Sequence, residues 1–275
     1  MIHHEQFLTL SMGRVRYKES GTGFPVILLH GNGGDLESWA STIGPMARKF
    51  RVIAPDLPGY GRSEKPSSFS IEMLVASVAE IARHFSLTRV HLVGNSLGGV
   101  VAIECATRFP ELVERIVLVG TPSVDKNELE KTLSTLTTWI KADGTPRVSV
   151  EDARLVFPGA DTKITALMNE SLAQAGITFS TANEALRSYD MKGALASFSK
   201  PALIIWGDQD RITSINHAWI LSRLMGGAPV WLIKGGGHSP QVDKPGEFNR
   251  MLGEFLSGPG RPDEKTRKIR GNAGK

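Results

Sequence analysis

Ser96, His238 and a pair of aspartates, Asp208 and Asp210, stand in the chain order serine, acid, histidine. A serine hydroxyl attacks a carbonyl carbon usefully only when a base takes its proton and a third group orients that base. Ser96 sits in "VHLVGNSLGGVVAIE", residues 90–104, where an apolar strand-like run turns into a small-residue helical run. G-x-S-x-G at such a join is a nucleophile elbow, a tight turn that lifts the hydroxyl above a sheet edge. The turn brings residues 94 and 98 together, and glycine at both supplies the room. His238 follows "VWLIKGGG" in a loop at the carboxyl end of a strand, the same edge that Ser96 occupies. The other histidines lie at the terminus (His3, His4), on helical patterns (His84, His217), at the start of the elbow strand (His91) or inside a strand-end motif (His30). The acid is expected after the strand "PALIIWGD", where spacing alone does not choose between Asp208 and Asp210; Asp125, after "RIVLVGTPSV", is a third candidate.

Acyl transfer also needs two backbone N–H groups aimed at the oxyanion of a tetrahedral intermediate. One is expected from Leu97, at the start of the helix after the nucleophile, where the helix dipole adds to it. The other is expected from the glycine-rich stretch "LLHGNGGDLESW", with Asn32 as donor and Gly33 as second choice. This stretch has neither the G-x-G-x-x-G spacing nor the lysine of a phosphate-binding loop, so it does not read as a nucleotide cradle. No cofactor or metal is expected.

These residues need strands to carry them. "VRYKES", "PVILLHG", "RVIAPDLPG", "VHLVGNS", "RIVLVGTP", "PALIIWGD" and "PVWLIKGG" are strand candidates, several of them apolar nearly throughout, as strands buried on both faces must be. Helices alternate with them, most clearly "SIEMLVASVAEIARHF", which keeps helical spacing behind a Ser70 cap. The alternation predicts a doubly wound α/β sheet with its site at the carboxyl ends of the strands. It breaks over residues 123–199, which read as a helical insertion. The expected organisation is therefore a core of residues 1–122 and 200–257, an insertion of 123–199, and a disordered basic tail of 258–275. Leu133, Leu136, Trp139, Ile140, Leu155, Phe157, Leu167 and Phe179 are candidates to line a pocket under the insertion, whereas Lys131, Arg147, Arg154 and Arg187 are expected on its outer face, because an unpaired buried charge is costly.

Composition narrows the function further. The chain has 275 residues, 41% hydrophobic and 22% charged, and a net charge of +4. Residues 258–275 hold six Lys and Arg against two Asp and Glu, which is the whole of that charge, so the basic balance belongs to a tail and argues against nucleic acid. No run is apolar enough for a membrane span and the start lacks a signal-peptide pattern, giving an expectation of a cytoplasmic location. The single cysteine, Cys105, reads as a small core residue.

"HGNGG" at 30–34, "DLPGYGRS" at 56–63, "GNSLGG" at 94–99, "WGDQDRIT" at 206–213 and "GGGHSP" at 235–240 together resemble the α/β-hydrolase superfamily over residues 5–257. The resemblance implies a mostly parallel sheet of about eight strands with a helical cap inserted after the sixth. It also implies Asp210 as the acid, three residues after Gly207, with Asp208 as the fallback. Serine at the elbow sets the chain apart from superfamily branches that use aspartate there. The expected activity is hydrolysis of a small-molecule carboxylic ester or lactone through an acyl-enzyme on Ser96. The alternatives are hydrolysis of a C–C bond in meta-cleavage ring-fission products, from whose usual pattern Ser239 and "HGNGGD" depart, and a non-catalytic ligand-binding protein on the same fold.

Overall fold

In a computed structural model that describes residues 6–258, the chain forms one eight-stranded sheet covered by helices on both faces. The strands are β1 Gln6–Leu10, β2 Gly13–Ser20, β3 Phe24–Leu29, β4 Phe50–Pro55, β5 Val90–Asn95, β6 Val113–Val119, β7 Ala202–Gly207 and β8 Val230–Ile233. Their spatial order is β1-β2-β4-β3-β5-β6-β7-β8. β1 pairs antiparallel with β2 and β2 with β4; every later pairing is parallel. The sequence candidates omit β1: "QFLTL" alternates buried and exposed residues, as an antiparallel edge strand with one wet face does, and lacks a continuous apolar run.

Parallel pairing explains the composition of the inner strands. In β3, Val26 and Leu28 face one layer of the core while Ile27 and Leu29 face the other, and all four are fully buried. β5, β6 and β7 divide their side chains between the layers in the same way. Each such aliphatic side chain contributes roughly 1.5–3 kcal/mol of burial. Packing on both faces fixes where the strand ends lie. Cys105 is in this core, and burial pushes its thiol well above the ordinary range.

The helices are α1 Ala40–Ala47, α2 Ile71–His84, α3 Leu97–Arg108, α4 Lys126–Thr137, α5 Val150–Val156, α6 Thr162–Ala175, α7 Ile177–Ser188, α8 Met191–Ala196, α9 Ile215–Leu224, α10 Pro240–Asp243 and α11 Pro245–Ser257. Ser70 caps α2 by accepting from Met73 N–H. Five of the helices, α4 to α8, lie between β6 and β7. Among the described residues no helix is long and apolar enough to cross a membrane. The basic segment 259–275 lies outside the described residues.

The strand order reverses between β3 and β5, since β4 lies to one side of that pair and β6 to the other. Ligands of doubly wound sheets bind in the crevice at such a point, outside the carboxyl ends of the strands. The loop after β3 carries Asn32, and the turn after β5 carries Ser96.

Candidate active site

Ser96 has φ +52° and ψ −115°, a backbone conformation a non-glycine residue rarely holds, at a cost of about 1–3 kcal/mol. Its surroundings enforce it. Ser96 N–H donates to Val119 O at 2.8 Å, and Ser96 O accepts from Gly99 and Val100 at the start of α3. A β-carbon on Gly94 would lie 2.2 Å from Gly98 O, and one on Gly98 would lie 2.3 Å from Leu29 O. Glycine is therefore a steric requirement on both sides of the serine. Ser96 Oγ makes no hydrogen bond to a described residue, which leaves it available to a ligand.

His238 Nδ1 lies 2.9 Å from Asp210 Oδ2. Asp210 Oδ1 accepts from the N–H groups of Ile212 and Thr213, and Thr213 Oγ1 is 2.7 Å from Oδ2. Held this way, the carboxylate accepts a hydrogen bond from Nδ1–H and leaves Nε2 with its lone pair, the tautomer a general base needs. Both side chains are buried. The structure thus brings Asp210, and not Asp208, to His238. Asp208 Oδ1 instead accepts from Gly235 N–H, bracing the glycine run before His238. Asp125 is not at the site: it caps α4 by accepting from Asn127 and Glu128.

The Asn32 and Leu97 N–H groups, one after β3 and one at the first turn of α3, have no hydrogen-bond partner among the described residues. His30 fixes the loop that carries Asn32: its Nδ1–H donates to Gly31 O at 2.8 Å and its Nε2 accepts from Leu57 N–H at 2.9 Å. Burial pushes the His30 ring below the usual imidazole range, so it stays neutral in this role. Asp56 anchors the next loop by accepting from the N–H groups of Leu36 and Arg62, and burial raises its carboxyl.

Some residues at the site escaped the sequence reading. Asn95, between Gly94 and Ser96, is buried and uses its whole side-chain amide: Nδ2 donates to Val119 O and His238 O, and Oδ1 accepts from Ser239 Oγ and Gln241 Nε2. It ties the serine strand directly to the histidine loop. The signal available was a lone amide ending an otherwise apolar strand. From the helices between β6 and β7, Val156 O accepts from His238 N–H at 2.8 Å, and Phe179 O and Asn183 Oδ1 accept from Asn32 Nδ2 at 3.0 and 2.9 Å. Asn32 Oδ1 accepts from Tyr60 OH at 2.8 Å. Gly33, with φ +77°, lies so close beneath Leu172 and Phe179 that a β-carbon would be 2.7 Å from Leu172 Cδ2. Of the pocket candidates, Leu133, Leu136, Trp139 and Phe179 are buried, whereas Leu167 is 55% exposed and points to solvent. A groove of about 660 Å³ between α2, α3, α7 and α8 is lined by none of Ser96, Asp210 or His238. Among the described residues no cluster of His, Cys, Asp and Glu is placed to hold a metal ion.

A serine in a strained elbow, a histidine oriented by a carboxylate and a doubly wound sheet define a hydrolase architecture. The alpha/beta hydrolase fold model matches residues 25–245, and the chain belongs to that family. It is 30% identical over 254 residues to a 2-hydroxy-6-oxo-2,4-heptadienoate hydrolase of Pseudomonas putida, covering 86% of this chain and 90% of the relative. Among solved structures, a meta-cleavage product hydrolase is 26% identical with a TM-score of 0.78, over 91% of this chain and 97% of that one. A membrane phospholipase A is also 26% identical with a TM-score of 0.78, over 92% of this chain and 85% of that one.

Proposed function

We propose that the protein hydrolyses uncharged carboxylic esters or lactones through an acyl-enzyme on Ser96. In this reading Ser96 Oγ attacks the carbonyl carbon while His238 Nε2 takes its proton, and Asp210 holds the imidazolium that results. The oxyanion accepts from Asn32 N–H and Leu97 N–H. His238 returns the proton to the departing alkoxide. A water molecule, deprotonated by His238, then releases the acid. The helices between β6 and β7 serve as the cap that roofs the ester, and no cofactor takes part.

The observation that carries the choice of substrate is the placement of charge on that cap. Seven of the eight Lys and Arg residues in 123–199 are exposed, and the eighth, Arg187, is bound to Glu130 and Glu184. A dienoate substrate brings a carboxylate of its own, which is costly to bury without a cation. A roof with its cations turned outward favours a neutral acyl group. The second reading, C–C hydrolysis of a dienoate, rests on the 30% identity to the heptadienoate hydrolase.

A panel of nitrophenyl esters, lactones and 2-hydroxy-6-oxo-dienoates separates the two. Neutral medium-chain or aryl esters should exceed every dienoate at least tenfold in kcat/KM. A fluorophosphonate should label Ser96, and Ser96→Ala should lower kcat by about 10⁵-fold or more. A dienoate turned over faster than all esters would replace this reading with the second. A chain that binds ligands without turnover or labelling would be a non-catalytic member of the fold.

A further inference from the structure

The donor assigned to the oxyanion does not stand on the sheet alone. Asn32 is one residue past a glycine anchored to the core through His30, yet its own side chain is turned toward the helices and fully engaged there. Phe179 and Asn183 are four residues apart on α7 and so share a face of that helix. Phe179 O and Asn183 Oδ1 accept hydrogen bonds from Asn32 Nδ2, while Tyr60 OH donates one to Asn32 Oδ1. Tyr60 is fully buried and Asn183 nearly so, which excludes the water that would otherwise replace these bonds. Burial also holds the Tyr60 phenol well above its ordinary range, so it remains a donor. Leu172 of α6 and Phe179 of α7 also pack so closely over Gly33 that an added β-carbon would meet both.

We infer that Asn183 and Tyr60 are positioning residues: acting through the Asn32 side chain, they latch the oxyanion N–H to α7, so that the seating of the cap sets the rate of acyl transfer. The inference rests on the reading of Asn32 as an oxyanion donor. Both bond the Asn32 side chain. A displacement on the order of 1 Å at such a donor is enough to cost up to about 10²-fold in rate, and a latch that loosens without releasing the loop falls below that limit.

The test uses the full chain with Asn183→Leu, Tyr60→Phe and the double variant. Ser96 is titrated with a fluorophosphonate so that kcat is counted per competent site, and affinity is measured for an aryl boronic acid. Ser96 Oγ adds to boron, its proton passing to His238, and the tetrahedral adduct places an oxygen where the oxyanion forms. Each single variant should lower kcat per titrated site about tenfold, leave KM within threefold and weaken the boronate about tenfold. Because the two residues act through one amide, the double variant should lose little more than either single one. An unchanged kcat per titrated site, a loss confined to KM, or losses that multiply in the double variant would each overturn the latch. Tyr60→Phe removes a single oxygen and keeps the test decisive where Asn183→Leu fails to fold. No labelling of the unmodified chain would overturn the hydrolase reading and the latch with it, whereas normal labelling with unchanged variant kinetics would overturn the latch alone.

Discussion

The loops at the carboxyl edge of the sheet and the helices between β6 and β7 reach the same few atoms by different means. In the loops, placement follows from residue type. Gly94 and Gly98 admit no side chain, Ser96 is held at positive φ, and Asp210 receives three donors from its own turn. In the helices, placement comes mainly from main-chain carbonyls, Val156 O on His238 and Phe179 O on Asn32, with Asn183 adding a side-chain acceptor. A carbonyl is available at every residue, so many sequences can supply it. The loops carry chemistry that substitution destroys outright, while the helices carry geometry that substitution degrades.

The largest expected effect lies within one loop. Asp210 and Asp208 are two residues apart, yet only Asp210 touches His238, while Asp208 braces Gly235. Asp210→Asn should lower kcat by about 10³- to 10⁴-fold, since the amide presents a donor to Nδ1 and favours the wrong tautomer. Asp208→Asn keeps an oxygen able to accept from Gly235 N–H and should stay within tenfold. Steady-state kinetics on one chromogenic ester reads both, and the reverse ranking would show that the carboxylate beside His238 is not the group that orients it.

The same contrast explains what the sequence disclosed. Five short motifs carried the resemblance, all of them on strand-end loops, where steric and chemical demands leave few residue choices. Ser96, Asp210, His238, Asn32 and Leu97 are accordingly nameable before any coordinates, and the parallel strands show themselves as apolar runs. β1 was missed because an edge strand with a wet face has no such run. Asn95, Tyr60 and Asn183 were missed because an amide or a phenol has no spacing rule that marks its partner. Leu167 was misplaced because helical periodicity alone does not say which apolar side faces the sheet. Choosing Asp210 over Asp208 required the resemblance, since both follow Gly207.

Acid should also separate the two regions. The helical stretch 123–199 contains no histidine, whereas the sheet region buries His30, His91 and His217. The His91 ring packs against Phe24 with centroids 4.3 Å apart, and burial, with Arg115 nearby, lowers its pKa from 6.5 to about 4. A depressed folded-state pKa means that below pH 6.5 the unfolded chain takes up a proton the folded chain refuses. Stability from this group is therefore complete above about pH 6.5, is lost as pH falls toward 4, and changes little below that. The loss amounts to about 3 kcal/mol. Urea unfolding across this window should show it, and His91→Phe should flatten the slope. An unchanged slope in that variant would move the acid sensitivity from His91 to another group.

The smallest expected effect tests whether the outward cations of the helices stay outward in solution. Arg187 Nε donates to Glu130 Oε2 at 2.9 Å, Nη2 donates to Glu130 Oε1 at 3.2 Å, and Nη1 donates to Glu184. An exposed pair of this kind contributes little to stability and is weakened by salt, so these bonds alone do not forbid the guanidinium from turning inward over a carboxylate. If the crevice is neutral, Arg187→Met should leave kcat/KM within twofold both for a nitrophenyl ester and for an ester bearing a second carboxylate. If the arginine turns inward to meet an anionic substrate, the variant should lose at least tenfold on the carboxylate-bearing substrate and nothing on the neutral one. That split would place a substrate contact in the helices, whose other contacts at the site only position Asn32 and His238, and would restore the dienoate reading that the charge placement argues against.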